Sequence, residues 1–203
     1  MDLGVLFDSK FTFVNHIDYN IPKSYSMLAF VRRNSADFSD PYTRKILFTS
    51  YVRSKLEYAS TIWYPFFSVH CNRLERVQKR FLKFALSSVN FSEPIPTYNS
   101  RCLLINLKSL QVRRMIASLM FVYDVVTGHI DCPILLERVN FLVPVRTLRH
   151  CNLFSVPICR TNYSLNEPVT RALIEFNNLS VNHIIDFSLP RFKFKNFLSN
   201  LYS

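Results

Sequence analysis

A mainly α-helical protein follows from three features of this sequence. Apolar residues return at helical spacing in several stretches, Asp40-Pro41 marks a helix start, and strand-like patterning is confined to the N-terminal residues and a stretch beyond Phe141. The expected order is a short N-terminal β-hairpin, a helical bundle, and a second helical region with some extended segments. Hydrophobic residues make up 49% of the 203, with Phe at 19 positions, so the chain can bury a core and is not disordered.

Leu3 to Phe13 alternates imperfectly around Asp8-Ser9-Lys10, which predicts two short strands or a hairpin. Ile17, Ile21, Leu28 and Val31 then fall on one helix face, with Arg32-Arg33 near its end. Pro22 lies inside that pattern and predicts a kink or a delayed start, because an interior proline costs about 3 kcal/mol. The second helix begins at Asp40 as N-cap with Pro41 in the first turn. Leu47, Tyr51 and Tyr58 line one face, Phe48, Val52, Ala59 and Ile62 widen it, and Pro65 ends the helix. A third helix is expected from about Val69 to Leu86. The turn-rich Ser92–Thr97 segment, with Pro94 and Pro96, is the best internal boundary. Beyond it come a short helix at 101–107 and a longer one capped by Ser109, with Val112, Ile116, Leu119, Tyr123 and Val126 as its stripe and Gly128 as a left-handed C-terminal cap. Residues 141–163 read as extended segments and loops. Pro168 and Pro190 open the last two helices.

Lys and Arg outnumber Asp and Glu 25 to 14, a formal charge of +11. Such an excess suits a polyanion, nucleic acid or an anionic membrane surface, against the plainer reading of a basic soluble surface. Only Gly4 and Gly128 are glycines, which excludes phosphate-cradling glycine loops. Five cysteines (71, 102, 132, 151 and 159) without a CxxC and without a leader suit a reducing, intracellular compartment, cytoplasm or nucleus. His150, Cys151 and Cys159 do not make a tetrahedral zinc set, and no metal or other cofactor is expected. Met115–Val126, the longest apolar stretch, contains Asp124 and falls short of the ~20 residues of a bilayer span, so no membrane partner is expected. The N-terminus reads as though cut from something longer.

The third helix carries the strongest functional signal. Leu74, Val77, Phe81 and Phe84 are spaced 0, 3, 7, 10, and Arg73, Arg76, Arg80 and Lys83 repeat the pattern one residue earlier. At 100° per residue those cations occupy an arc of about 80° beside the apolar one, and Lys79 extends it. Cations about 5 Å apart along an axis can meet duplex phosphates. The competing reading is a solvated face partly offset by Glu75. Arg32-Arg33 and Arg44-Lys45 are expected to extend the basic surface. Trp63, Tyr64, Phe66 and Phe67 could stack bases, but their place between two amphipathic helices favours core or turn packing.

Catalytic chemistry is not visible. A polymerase centre needs clustered carboxylates for two metal ions, and no Asp-Asp pair occurs. There is no GxSxG and no HExxH, and His16, His70, His129, His150 and His183 read as surface or satisfied polar positions.

Several segments, in order and spacing, resemble the region after the catalytic palm of non-LTR, jockey-like retrotransposon reverse transcriptases. They are Leu3-Gly4-Val5 with Phe7-Asp8-Ser9, His16-Ile17, Val52 to Tyr58, Trp63-Tyr64-Pro65, and Glu75 to Phe81. Later come Arg101-Cys102 with Ser109-Leu110, Gly128 to Pro133, Val143-Pro144-Val145-Arg146, and Arg160 to Tyr163. The resemblance implies that residues 1–90 are the end of the palm and a thumb-like helical region, and that 91–203 are the family's C-terminal helical region. A thumb grips the template–primer duplex through its backbone, whether RNA, DNA or their hybrid. The family's Tyr-x-Asp-Asp motif is absent, so no polymerase activity is expected of this chain alone. Ala29, Asn106 and Ser164 stand where the family carries glycine, which suggests a drifting, partial copy. The alternatives are a helical interaction module whose exposed apolar faces meet a protein partner, and a relic without function.

Overall fold

The computed structural model describes residues 1–87, 89, 96–143 and 152–202, and helices dominate them. Packing groups the chain into two units, Met1–Arg113 and Arg114–Ser203, with the division inside a helix. The turn-rich stretch expected to divide the chain is described only from Pro96 onward.

In the first unit the N-terminal hairpin reduces to one antiparallel bridge, Asp2 to Val5, closed by Leu3 and Gly4 at φ 43° and 85°. Asp8 explains why the strand pattern is not used. Its carboxylate accepts hydrogen bonds from the Thr12 N–H (3.0 Å), the Thr12 hydroxyl (2.8 Å) and the Phe13 N–H (2.8 Å). Those bonds fold residues 8–13 into a loop in which Phe7, Phe11 and Phe13 meet edge to face. Burial alone would raise the Asp8 pKa, but the bonds from Phe13 and Thr12 outweigh it and hold the carboxyl below its ordinary value.

Helix α1 (Val14–Asn34) follows and buries Ile17, Ile21, Leu28 and Val31, as the apolar spacing predicts. It runs through Pro22, which sits at an exposed position and neither delays its start nor divides it into two elements. His16 is buried on the same helix. Its Nδ1 accepts the Leu6 N–H at 3.2 Å, Nε2 lies 2.8 Å from the Asn20 side-chain amide, and its ring meets Trp63 edge-on at 5.1 Å. Burial lowers the His16 pKa. The unfolded chain therefore takes up the imidazole proton first, and stability falls as pH drops below about 6.5. Thermal midpoints at pH values on either side of that figure should diverge in the wild type and converge in His16→Gln. An equal pH slope in both proteins would remove His16 as the cause.

Asp40 caps α2 (Pro41–Leu47), accepting from Tyr42 N–H at 3.1 Å and Thr43 N–H at 2.8 Å. The helix continues as π-helical turns over Phe48–Arg53 and closes as α3 (Ser54–Glu57). Phe48, Val52 and Leu56, all fully buried, are four residues apart. An ordinary helix would rotate such a series by about 40° per step, and the wider π turns keep it on the core. The expected extension to Pro65 does not form. Ala59 takes φ 51°, the chain turns, and Trp63 enters the core with its Nε1–H donating to the Tyr58 carbonyl at 2.6 Å.

Helix α4 (Ser68–Ala85) lies within two residues of its expected bounds and packs against α1, with Phe81 stacked on Phe48 at 4.0 Å. Thr97 caps α5 (Tyr98–Leu104), and the Ser109 hydroxyl accepts from Val112 N–H at 3.2 Å to start α6 (Leu110–Val126).

The second unit takes the rest of α6. Gly128 follows at φ 74°, donating to the Val125 carbonyl at 3.3 Å. Short α7 (Pro133–Leu136) leads to an antiparallel pair, β1 (Asn140–Phe141) with β2 (Phe154–Ser155), in the stretch expected to be extended. Then come α8 (Asn162–Asn166), α9 (Pro168–Ser180) and α10 (Arg191–Leu201). The core here is aromatic: Tyr123 stacks on Phe194 at 4.3 Å, and Phe154, Phe176 and Phe187 close around them. Asn177 acts as a third strand in miniature, exchanging two hydrogen bonds with the Phe154 backbone (2.8 and 2.9 Å). Asp124 is tolerated in its apolar run because Arg191 pairs with both its oxygens at 2.7 and 2.9 Å.

Candidate nucleic-acid interface

Helix α4 has a sharply divided surface. Leu74, Val77, Phe81, Leu82 and Ala85 are fully buried. Opposite them Arg76, Lys79, Arg80 and Lys83 are exposed, with Arg73 half-buried at the edge. Taking 100° per residue, these five cations fill about 120° centred away from the core, so they form the outer face of the helix. Arg73 to Lys83 spans about 15 Å along the axis.

The acid that the competing solvated-face reading sets against these cations does not offset them. Glu75 is buried and turned toward α5 and the start of α6, accepting hydrogen bonds from the Tyr98 hydroxyl and from the Leu110 N–H at 3.1 Å. There it takes the first N–H of α6, beside the Ser109 cap, at a helix N-terminus where a carboxylate is favoured. Gln78, fully buried one turn on, donates to the Tyr98 oxygen (2.9 Å) and the Lys108 carbonyl (3.0 Å). Burial, and then the bond to Glu75, push the Tyr98 phenol well above its ordinary pKa. The neutralising acid is Asp18 of α1, paired with Arg73 at 2.6 Å.

The remaining cations differ in freedom. Arg80 lies over the Tyr25 ring at 4.8 Å and Lys79 over Tyr98 at 5.1 Å, contacts that orient the side chains while leaving their charge exposed. Among the described residues Arg76 and Lys83 make no ion pair. Arg32 joins this face from α1, its guanidinium 5.5 Å from the Phe84 ring. Arg33, next in sequence, turns instead into a separate groove beside α3.

Arg44 and Lys45 belong to a different task. Arg44 is buried (4% exposed) and donates to the Phe84 carbonyl at 3.0 Å, the Ala85 carbonyl at 3.3 Å, the Ser87 hydroxyl at 3.3 Å and the Ala36 carbonyl at 3.4 Å. It closes the C-terminus of α4 and is withdrawn from the basic surface expected of it, because its fork of donors reaches the Phe84, Ala85 and Ala36 carbonyls at once. Lys45 donates to the Asn106 carbonyl at 3.0 Å, and burial, with the Arg53 charge second, lowers its pKa. Trp63 is core, while Phe66 and Phe67 pack on each other at 4.2 Å in the turn before α4.

Among the described residues no group of three His, Cys, Asp or Glu side chains is placed to hold a metal ion, and no helix is long and apolar enough to cross a membrane. His150 and Cys151 lie outside the described residues. Comparison with family models, curated proteins and solved structures finds no match to this chain. The site therefore rests on its own geometry.

Proposed function

We propose that this chain is the post-palm part, thumb and C-terminal region, of a non-LTR, jockey-like reverse transcriptase, and that it holds template–primer nucleic acid through phosphate contacts without catalysing synthesis itself. It acts inside the cell, in cytoplasm or nucleus. The observation that carries this reading is the outer face of α4, where Arg76, Lys79, Arg80 and Lys83 are exposed together and the helix's only acid is turned inward. Asn106 adds support: it takes φ 49°, a conformation glycine adopts freely, at a position where the resemblance calls for glycine. Cations that reach phosphate oxygens bind any sequence and release counterions, so affinity is read by salt and not by base identity.

The test is anisotropy of a labelled RNA–DNA hybrid across a salt series, comparing wild type with a variant carrying Arg76, Arg80 and Lys83 as Ala. The slope of log affinity against log salt is expected to shrink by about 3 in the variant. An unchanged slope, with circular dichroism showing both proteins folded, would return α4 to an ordinary solvated face. An interaction module is the second reading. Tyr42 and Ile46 of α2 and Leu103 and Leu104 of α5 are exposed by 52–78%, and the Lys45–Asn106 bond ties the two helix regions together. Such apolar surface fits a protein partner.

A further inference from the structure

Helix α1 has two flanks beside its buried face. Asp18, Tyr25 and Arg32 lie on the flank toward α4, where they meet Arg73, Arg80 and Phe84. The other flank carries Lys23, Ser26, Met27, Phe30 and Arg33, spaced 0, 3, 4, 7, 10, which is one side of a helix. Lys55 of α3 faces this row, and together they line an open groove of about 410 Å³. That volume falls within the ~300–1,000 Å³ of clefts that hold small ligands.

The lining is chemically uneven in a useful way. Three of its six residues are cations and none is an acid. The nearest carboxylate in sequence to Lys55, Glu57, is already held by Arg113 at 2.6 and 2.8 Å and lies beside Arg53 at 3.7 Å. Lys23 bends back over Tyr19 at 3.8 Å, whereas Arg33 and Lys55 are exposed and make no ion pair among the described residues. Beside the cations is an aromatic surface: Phe30 is 46% exposed and meets Tyr51, 49% exposed, edge-on at 6.4 Å. Met27, packed against the core, provides an apolar floor.

We infer that this groove binds a nucleoside phosphate, with Arg33 and Lys55 gathering the phosphate oxygens and the base lying on Phe30 and Met27. Cations alone would suit any anion, and an aromatic surface alone would suit any apolar group. Their combination in one groove selects a ligand with a charged end and a flat ring, because charge-assisted bonds and stacking are satisfied together. The ligand is either a free nucleotide or one unit of a single strand, and both present the same chemistry. This site is independent of the α4 face, which shares none of its side chains.

The experiment is anisotropy of a fluorescently labelled nucleoside triphosphate with the full chain, and separately of a labelled short oligothymidylate. Arg33→Gln combined with Lys55→Gln is expected to weaken the ligand that binds by about 10-fold, since both residues are exposed and the fold does not depend on them. Phe30→Ala is expected to weaken the same ligand while leaving inorganic triphosphate unaffected as a competitor. Arg76→Ala with Lys83→Ala is expected to leave the free nucleotide unchanged. Binding of the triphosphate identifies a free nucleotide as the source, and binding of the oligonucleotide alone, sensitive to Arg33 and Lys55, identifies a strand. The inference is overturned if neither probe binds, if the Arg33 and Lys55 variant binds like wild type, or if inorganic triphosphate competes as well as the nucleotide and Phe30→Ala changes nothing. None of these results bears on the salt slope of α4, so failure here and failure there are distinguishable.

Discussion

Trp63→Ala is expected to lower the stability of the first unit by about 3–5 kcal/mol. Trp63 is fully buried, meets the His16 ring edge-on at 5.1 Å, and donates its indole N–H to the Tyr58 carbonyl at 2.6 Å. Alanine would leave a cavity the size of an indole and orphan that carbonyl, and the two losses act on the same turn. It would also release the constraint that stops α3 at Glu57, because the turn at Ala59 is held in place by the ring it delivers. Urea unfolding followed by circular dichroism measures this. Fluorescence does not serve, since Trp63 is the chain's only tryptophan. A loss below about 1 kcal/mol would mean that Trp63 fills no cavity and the turn forms without it.

The second large effect separates structural charge from functional charge. Arg44→Met is expected to destabilise the protein by about 1–3 kcal/mol, because the Ala85 carbonyl loses its donor in a buried setting and the Phe84 carbonyl keeps only Ser87 as its donor. The methionine retains much of the apolar stem, so the change reports mainly the lost donors. Under folding conditions the salt dependence of nucleic-acid binding should be the same as in the wild type, since Arg44 does not reach the surface. The pattern is the inverse of that expected for Arg76 and Lys83, which change the salt slope and leave stability nearly untouched. A reduced slope in Arg44→Met, at a temperature where it is fully folded, would place Arg44 at the phosphate after all.

These two residues also mark how far the sequence could be read. The bounds of α4 and its basic row were legible because they depend on spacing within one helix: Leu74, Val77 and Phe81 are fully buried and the cations beside them are outside. The place of Glu75 is not legible because its partners, Tyr98 and the Leu110 N–H, lie far along the chain, and no local pattern distinguishes a carboxylate facing solvent from one capping a distant helix. Arg44 and Lys45 are neighbours in sequence with the same charge, yet only Arg44 is buried. The N-terminal hairpin was expected from alternation over a few residues, a signal that three hydrogen bonds to one aspartate are enough to override. Pro22 carried a penalty that the apolar contacts of α1 offset. The groove beside α3 was half legible. Its α1 residues share one helical side, but Lys55 comes from another element, and only the tertiary fold brings the rows together.

The inward turn of Glu75 has a thermodynamic consequence. An outer face of five cations, offset among the described residues only by Asp18 on Arg73, repels itself, so the folded first unit carries a Coulombic load that the unfolded, more extended chain partly escapes. Salt screens that load, and on the proposed function a polyanion seated on α4 would remove it while binding only the folded form. Folding and occupancy would then be coupled, with stability expected to rise where phosphate backbone is abundant. A nucleic acid would thus be part of what holds this helix in place.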